Sequence, residues 1–312
     1  MASTATPRDN PATCRLCGAH LEVRIPKARD TDSGDVFSVM GCLSCGLSQT
    51  LPIPADLGKY YSAAYHGGRH GFTAQYCVQR RMRWVKKTAG KANIGKLLDI
   101  GCGEGTFLLL ARKNGWIVAG TEFKPEAARA QALDVRGSLA QVQEQGPFDC
   151  ITLWHSLEHM PDPVETISHA SKLLQPGGFL LVAVPDAGGL QAQIFRDAWL
   201  HLDVPRHVFH FTGNSLRRMV REAGLREVHS WHQEFEYDLL GWSQSALNRL
   251  LPRPNEFFDE LRGCSAERRG SRVLTMLAGF FFSALALPLV AVGTLLRRGG
   301  TLVLAAQKPC PS

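Results

Sequence analysis

The amino terminus lacks the apolar segment that marks a secretory signal. The chain begins MASTATPRDNPATC, which contains no apolar segment of this kind, so we expect no export signal. The nine cysteines are therefore expected to be reduced thiols. This argues against a disulfide framework and favours metal ligation wherever cysteines are grouped.

The chain also lacks the interleaved basic and aromatic residues that are typical of RNA-binding surfaces. The net charge of +7 suits an anionic partner, either a membrane surface or nucleic acid. Much of the excess lies in two short segments, Arg80–Lys87 and Arg268–Arg298. The missing RNA-binding pattern weighs against nucleic acid, and we expect the partner to be a membrane surface.

Four cysteines form two CxxC pairs, Cys14 with Cys17 in CRLCG and Cys42 with Cys45 in CLSCG. A Gly follows each pair and frees the backbone at a tight turn. Two such pairs are typical of a structural zinc site, in which four thiolates complete a tetrahedral coordination shell. The segment between the pairs is predicted to form a small hairpin, and bound zinc would supply its folding energy. Four unrelated free cysteines are the alternative.

Strand and helix patterns alternate from about residue 93 onward. The apolar runs KLLDIG, WIVAGTE, FDCITLW and GGFLLVAVP predict buried strands, and the segments between them predict helices. This order predicts an α/β fold with a doubly wound, mostly parallel sheet. In such a sheet the ligand lies at the carboxyl ends of the strands.

The first of these strands ends in a glycine turn, LDIGCGEGTF. NAD, FAD and S-adenosylmethionine sites all use such a turn, and Glu122 stands where a ribose-binding carboxylate belongs in any of them. Asp99 and Glu104 flank the glycines, and carboxylates there would repel a pyrophosphate. The turn therefore favours a ligand that carries an ammonium and a sulfonium group.

Three motifs in order, LDIGCGEGTF, FDCITLWHSLEHMPDP and LLQPGGFLLVAVP, resemble class I S-adenosylmethionine-dependent methyltransferases. The similar group includes ubiquinone-pathway O-methyltransferases and bacterial glycan and lipid methyltransferases. The resemblance covers about residues 60–237 and 299–309. It implies a Rossmann-like, seven-stranded sheet whose sixth and seventh strands pair antiparallel. It is specific for cofactor and fold, but not for the methyl acceptor.

The resemblance also implies the cofactor contacts. The glycine turn would line the methionine half, Glu122 would hold the ribose hydroxyls, and Phe123 would contribute to the adenine pocket. No acidic residue near LDVRGS matches the family's adenine-amine partner, so none is assigned. The predicted cofactor-binding residues are Asp99, Gly101, Cys102, Gly103, Glu122, Phe123 and His155.

The segment WHSLEHMPDP follows the fourth strand, where the acceptor should approach the methyl group. His155, Glu158 and His159 are spaced to share one face of a helical turn. His155 or His159 is the candidate base for an acceptor hydroxyl, with Glu158 orienting it. Structural bracing of the loop is one alternative, and a divalent-metal site is another.

A second polar cluster, HLDVPRHVFHF, follows the fifth strand. We predict that Arg206 pairs with an acceptor phosphate or carboxylate, and that His207 belongs to the catalytic group; a salt bridge is the alternative for Arg206. Upstream, residues 58–72 are expected to form a lid over the cofactor, with Tyr60, Tyr61 and Tyr65 as its lining. Packing against the zinc unit is the alternative for these tyrosines.

Residues 273–296 form a run of 24 residues without a charge, which is long enough to span a membrane. A single crossing would separate the last two strands of the sheet, and arginines lie at both ends of the run. Pro288 is expected to kink a helix here. We therefore predict a bent apolar hairpin that dips into one leaflet, with Trp242 at its boundary. A buried or dimer-forming helix is the alternative.

These inferences define five regions and one activity. The regions are a zinc-ribbon-like unit (1–50), a linker or lid (51–92), a methyltransferase core (93–237), an apolar insertion (238–298) and the last strand (299–312). The predicted activity is methyl transfer from S-adenosylmethionine to a hydroxyl of a small or lipid-linked acceptor. The protein is expected to be peripheral or monotopic at the cytoplasmic membrane face. An RNA methyltransferase and a catalytically silent cofactor-binding scaffold are the alternatives.

Overall fold

The computed structural model describes residues 13–61, 73–90, 95–263 and 269–311, without the side chains at 74 and 269–271. Its contacts divide the chain into two compact units. The first unit comprises Met1–Ala74, Pro185–Ser215 and His232–Leu302, and the second comprises Gln75–Val184, Leu216–Trp231 and Val303–Ser312. The five-region division remains a prediction.

Strands and helices carry the following labels. The strands are β1 (Glu22–Arg29), β2 (Val36–Gly41), β3 (Ser48–Leu51), β4 (Lys96–Ile100), β5 (Ile117–Thr121), β6 (Val135–Arg136), β7 (Phe148–Trp154), β8 (Leu174–Pro185), β9 (Phe209–His210), β10 (Arg226–Trp231) and β11 (Thr301–Gln307). The α-helices are α1 (Ala74–Ala89), α2 (Thr106–Lys113), α3 (Glu126–Arg129), α4 (Pro163–Leu173), α5 (Leu190–Phe195), α6 (Gly213–Glu222), α7 (Phe235–Leu250), α8 (Glu256–Arg262) and α9 (Arg269–Leu295).

The second unit is built on a seven-stranded sheet in the order β10-β11-β8-β7-β4-β5-β6. β4 pairs parallel with β5 and β7, and β7 pairs parallel with β8. β10 and β11 pair antiparallel. This is the predicted doubly wound sheet with an antiparallel final hairpin, so the fold-class prediction is confirmed.

Sequence signals explain the helices that cover this sheet. Asp162 caps the start of α4 by accepting a hydrogen bond from the Glu165 backbone N–H at 2.9 Å, with Pro163 in the first turn. α2 buries Phe107 and Leu108 against the strands. The segment after β5 was expected to be helical, but α3 covers only four residues. Three residues further on, the backbone at Ala132 has a positive φ of 55°, outside the helical region.

The first unit contains a four-stranded sheet in the order β1-β2-β3-β9. β1 and β2 form an antiparallel hairpin between the two cysteine pairs, as predicted from the sequence. β3 continues the sheet directly after the second pair and joins β9. The strands of this sheet therefore connect the two cysteine pairs and follow the second one directly.

The segment between β10 and β11 forms α7, α8 and α9, which confirms a helical insertion there. Its predicted shape was wrong: α9 is one continuous 27-residue helix that includes Pro288, not a bent hairpin. Ala286 and Val290, on either side of the proline, pack together against Trp242 of α7. This packing buries Trp242 instead of leaving it at a boundary, and it covers residues on both sides of the proline.

Candidate active site and metal site

The glycine turn after β4 holds the backbone in conformations that favour glycine. Gly101 has a φ of +73°, and a Cβ there would lie 2.5 Å from the Ser156 Cβ. Gly103 has a φ of +56°, but a Cβ there would meet no heavy atom within 4 Å. Gly101 is thus required for packing, whereas the open space beside Gly103 lets a ligand approach the backbone closely.

Backbone hydrogen bonds fix this turn against the end of β5. The N–H groups of Gly101 and Cys102 donate to the Thr121 carbonyl at 2.8 and 3.0 Å. The Glu122 carboxylate accepts from the N–H groups of Gly103 and Phe123, each at 2.8 Å. These bonds orient the predicted ribose-binding carboxylate. The Phe123 side chain is 84% exposed, so in this structure it covers no closed pocket.

Asp99 lies fully buried at the end of β4. Burial raises the pKa of its carboxyl from 3.8 to about 7. A 2.6 Å hydrogen bond from the Thr152 hydroxyl and the positive charge of Arg81 lower this pKa, while the negative charge of Glu122 raises it. A buried carboxylate poised in this way is stabilised by any cation that binds beside it.

Sequence reasoning missed Arg81, which lies on α1, 18 residues before Asp99. Its guanidinium is buried and stacks 5.3 Å from the ring centroid of Trp154, the last residue of β7. Trp154 also packs edge-on against Phe107, with ring centroids 5.4 Å apart. The cluster of charges around RRMRW was the available signal, but hydropathy does not show which arginine points inward.

His155, Glu158 and His159 lie together after β7, in the same unit as the glycine turn. Leu157–His159 forms a single 3-10 turn rather than an α-helical turn. The His155 Nδ1 lies 3.6 Å from an oxygen of the buried Glu158 carboxylate. His155 has a positive φ of 52°, a strained conformation for a non-glycine residue. The predicted orienting contact of Glu158 thus falls on His155, and His159 is only half-buried.

Arg206 and His207 lie in the first unit, and both side chains are buried. The Arg206 guanidinium contacts Asp203 at 2.7 Å, Asp30 at 2.9 Å and the Tyr60 carbonyl at 3.0 Å. The His207 Nδ1 lies 2.8 Å from the His201 carbonyl oxygen. These contacts favour the ion-pair alternative for Arg206, and a role for either residue in binding the acceptor stays a prediction.

The predicted lid falls mostly outside the described residues, which resume at residue 73. Tyr65 is among the residues outside them. Tyr60 is buried, and its hydroxyl donates to Asp35 at 2.7 Å. Its ring packs edge-on against Phe37 with centroids 5.9 Å apart. For Tyr60, these contacts favour packing in the first unit over lining a cofactor.

The four cysteine sulfurs converge in the first unit. The Sγ atoms of Cys14 and Cys45 lie 3.5 Å apart, those of Cys17 and Cys42 lie 3.4 Å apart, and all four lie within 4.8 Å of one another. A disulfide would need about 2.05 Å, whereas tetrahedral zinc with bonds of about 2.3 Å places its sulfurs about 3.8 Å apart. The arrangement therefore fits a zinc ion rather than disulfides.

The two cysteine pairs also share one backbone pattern. The N–H of Gly18 donates to the Cys14 carbonyl at 2.8 Å, and the N–H of Gly46 donates to the Cys42 carbonyl at 2.9 Å. Both glycines have positive φ, 72° and 81°. This matched pair of turns presents four thiols to one point, so the site can hold a metal with no ligand position left over.

The comparisons with known proteins agree with this geometry. Residues 70–230 match the methyltransferase domain family, which is half of the chain, so the chain belongs to that family. The chain is 29% identical over 164 residues to a ubiquinone biosynthesis O-methyltransferase of Thiobacillus denitrificans, covering 46% of this chain and 70% of the relative. It is 28% identical over 195 residues to the same-named protein of Aromatoleum aromaticum, covering 56% and 79%.

Among solved structures, the fold is similar to phosphoethanolamine N-methyltransferase 2 of Haemonchus contortus in complex with S-adenosylmethionine. The TM-score is 0.54 at 13% identity, covering 93% of this chain and 69% of that chain. At this identity the likeness shows the fold alone. Together with the family match and the relatives, the fold and the carboxylate-lined turn define an S-adenosylmethionine-dependent methyltransferase.

Proposed function

We propose that this enzyme methylates a hydroxyl group of a small, lipid-linked or amphipathic acceptor at the cytoplasmic face of a membrane. The observation that carries the proposal is the glycine turn beside Asp99 and Glu122, because it suits a cationic methyl donor. The relatives named ubiquinone biosynthesis O-methyltransferase support an oxygen acceptor. The exposed apolar face of α9 supports a location at lipid.

The turn and its carboxylates would hold the cofactor. Asp99 would face its cationic methionine half, Glu122 would accept hydrogen bonds from the ribose hydroxyls, and Gly103 would let it approach the backbone. Arg81 would pair with the cofactor's carboxylate, because it is the cation that acts on Asp99. When bound, the cofactor supplies an electrophilic methyl group.

His155 is the candidate general base in this proposal. A hydroxyl acceptor must lose its proton as the new oxygen–carbon bond forms, and a positioned base typically accelerates such a step about 10²- to 10⁴-fold. Glu158, 3.6 Å from the His155 Nδ1, would hold the ring in place while the imidazole takes the proton. His159 is the second candidate, since it is half-buried in the same turn.

The four cysteines would hold a structural zinc ion. Their geometry leaves no position for substrate, so the ion would stabilise the hairpin of β1 and β2 rather than act on the acceptor. Loss of the ion is therefore expected to lower stability first and activity only as a consequence.

The test follows transfer of a radiolabelled methyl group from S-adenosylmethionine to three acceptor pools: a bacterial lipid extract, soluble catechols and total RNA. The proposal predicts label in the lipid extract or the catechols, and a His155→Ala enzyme at least about 100-fold slower. His169→Ala is the matched control, since His169 lies on α4 of the same unit. Label confined to RNA would establish the RNA alternative. Cofactor binding without transfer to any of these pools would favour the silent scaffold.

A further inference from the structure

Helix α9 carries a continuous apolar stripe on its exposed side. Leu274, Leu277, Phe281, Leu285, Val292 and Leu295 are 44–82% exposed, and their spacing of three, four and seven residues places them on one face. At 1.5 Å per residue the stripe is about 32 Å long. No charged residue occurs between Val273 and Leu296. Exposed patches of this size mark a surface that contacts another molecule or a membrane.

The opposite face of α9 packs on the other helices of the insertion. Before the middle of α9, Gly279 lies against Phe257 of α8, where a Cβ would come within 2.1 Å of the ring. Near its end, Ala286 and Val290 pack on Trp242 of α7. The helix is therefore held along one side, while the α9 stripe and further apolar residues, among them Phe280 and Leu287, remain exposed.

The helices that support α9 are polar. α8 has three acidic residues and an arginine among its seven residues, and Glu260 of α8 forms a 2.6 Å ion pair with Arg272 at the start of α9. By length and composition, Arg272–Leu295 is the one helix of the described residues that qualifies as a membrane span. A crossing would carry the charges of α8 into the hydrocarbon, which is costly. A helix that lies in the plane of the membrane keeps them in water.

The charges around the stripe suit an anionic bilayer. Residues 249–298 contain eight arginines and four acidic residues. Arg272 and Arg297 stand at the two ends of the apolar run, where their heads can reach lipid phosphates while the stripe enters the acyl region. A second copy of the chain would bring the same arginines together at an antiparallel contact, which disfavours self-association.

We propose that α9 lies in the plane of an anionic bilayer, with the α9 stripe immersed in one leaflet and α7 and α8 on the aqueous side. This deepens the membrane location of the proposed function, because it defines the surface and the orientation of docking. The partner is the lipid bilayer itself.

Depth-dependent quenching of introduced tryptophans by brominated lipids tests the orientation. The variants Leu274→Trp, Phe281→Trp and Leu295→Trp are prepared in the full chain, and the signal of the unsubstituted protein is subtracted. An in-plane helix gives three similar, shallow depths in vesicles of phosphatidylglycerol and phosphatidylcholine. A deep Phe281→Trp between two shallow ends indicates a span and overturns the proposal. Absent quenching, with or without concentration-dependent self-association, overturns it too.

Vesicle flotation tests the surface. Phe281→Asp is expected to weaken binding to the anionic vesicles at least about tenfold, whereas Val23→Asp leaves it unchanged. Val23 is the matched control, because it is a β1 residue with the same 61% exposure as Phe281. Binding of unsubstituted protein should be about tenfold weaker to pure phosphatidylcholine. Equal vesicle binding of Phe281→Asp and Val23→Asp would refute the α9 stripe as the membrane-docking surface.

These measurements need no methyl acceptor, so they separate docking from the proposed function. Circular dichroism and cofactor binding confirm that each variant folds. Shallow, equal depths together with no methylation of lipid or catechols would reject the proposed function and keep the docking surface. Methylation of a soluble catechol without vesicle binding would keep the proposed methyl transfer and reject the docking surface together with the membrane location.

Discussion

The buried carboxyl of Asp99 makes the cofactor affinity depend on pH. Its pKa is raised to about 7 chiefly by burial, so the carboxyl changes charge within the physiological range. A bound cation stabilises the ionised form and lowers this pKa. The affinity is therefore full above pH 7 and is lost as the pH falls through 7.

The size of the effect follows from the ionised fraction. With a pKa of about 7, about nine-tenths of the molecules are ionised at pH 8 and about one-tenth at pH 6. If the bound pKa lies below 6, the dissociation constant rises about tenfold between pH 8 and pH 6. Asp99→Asn removes this titration, so the variant binds more weakly at pH 8 and shows a flat profile.

Isothermal titration calorimetry from pH 5.5 to 8.5 measures the profile directly. His155 is the candidate base in the same unit, so His155→Gln shows whether the slope belongs to the histidine. Glu126→Gln is the control for removing an exposed carboxylate from the same unit. A slope that persists in Asp99→Asn, or a flat profile in the unsubstituted protein, would refute the reasoning.

Three further outcomes are expected. Arg81→Gln removes a cation that lowers the pKa of Asp99, so the midpoint of the same calorimetric profile should move to higher pH. A midpoint that stays in place would contradict this role of Arg81. Gly103→Ala should weaken cofactor binding at least about tenfold. Gly90→Ala, at a similar φ of 72° with equally open space, should lower only the stability, by about 1 kcal/mol in thermal unfolding. Equal cofactor affinities of the two variants would exclude a close approach of the ligand to Gly103. Cys17→Ser should lose the zinc measured by atomic absorption, while Cys310→Ser, at an exposed cysteine, should retain it. An unchanged ratio of zinc to protein in both variants would reject the four-cysteine zinc site.

The sequence was sufficient for features that depend on short-range rules. Alternating apolar runs and turns specify the strands of the second unit, and a carboxylate at the end of a strand can be located from the pattern alone. The CxxC pairs are equally local, because each turn brings two thiols together within four residues. These features were predicted with the residues that the structure places there.

Contacts between distant segments could not be predicted. Arg81 influences Asp99 only because α1 packs over the sheet, and the buried ion pair of Arg206 with Asp30 joins residues 176 positions apart. Neither contact has a periodic signal, and a charged residue is normally expected at the surface. Tertiary packing therefore decided the roles of both arginines.

The apolar run at residues 273–296 shows the same difference between what local sequence rules predict and what tertiary packing decides. Hydropathy and length describe the composition of a helix but not which of its faces is covered. A run with no charge and a proline favoured a bent hairpin, yet Gly279 and Ala286 supply small surfaces against which Phe257 and Trp242 pack. This packing determines the direction of the open face of α9. The arrangement leaves leucines and phenylalanines exposed because the small residues, rather than the large ones, face the protein. Large apolar residues directed away from the protein's own core are expected where the environment on that side is lipid.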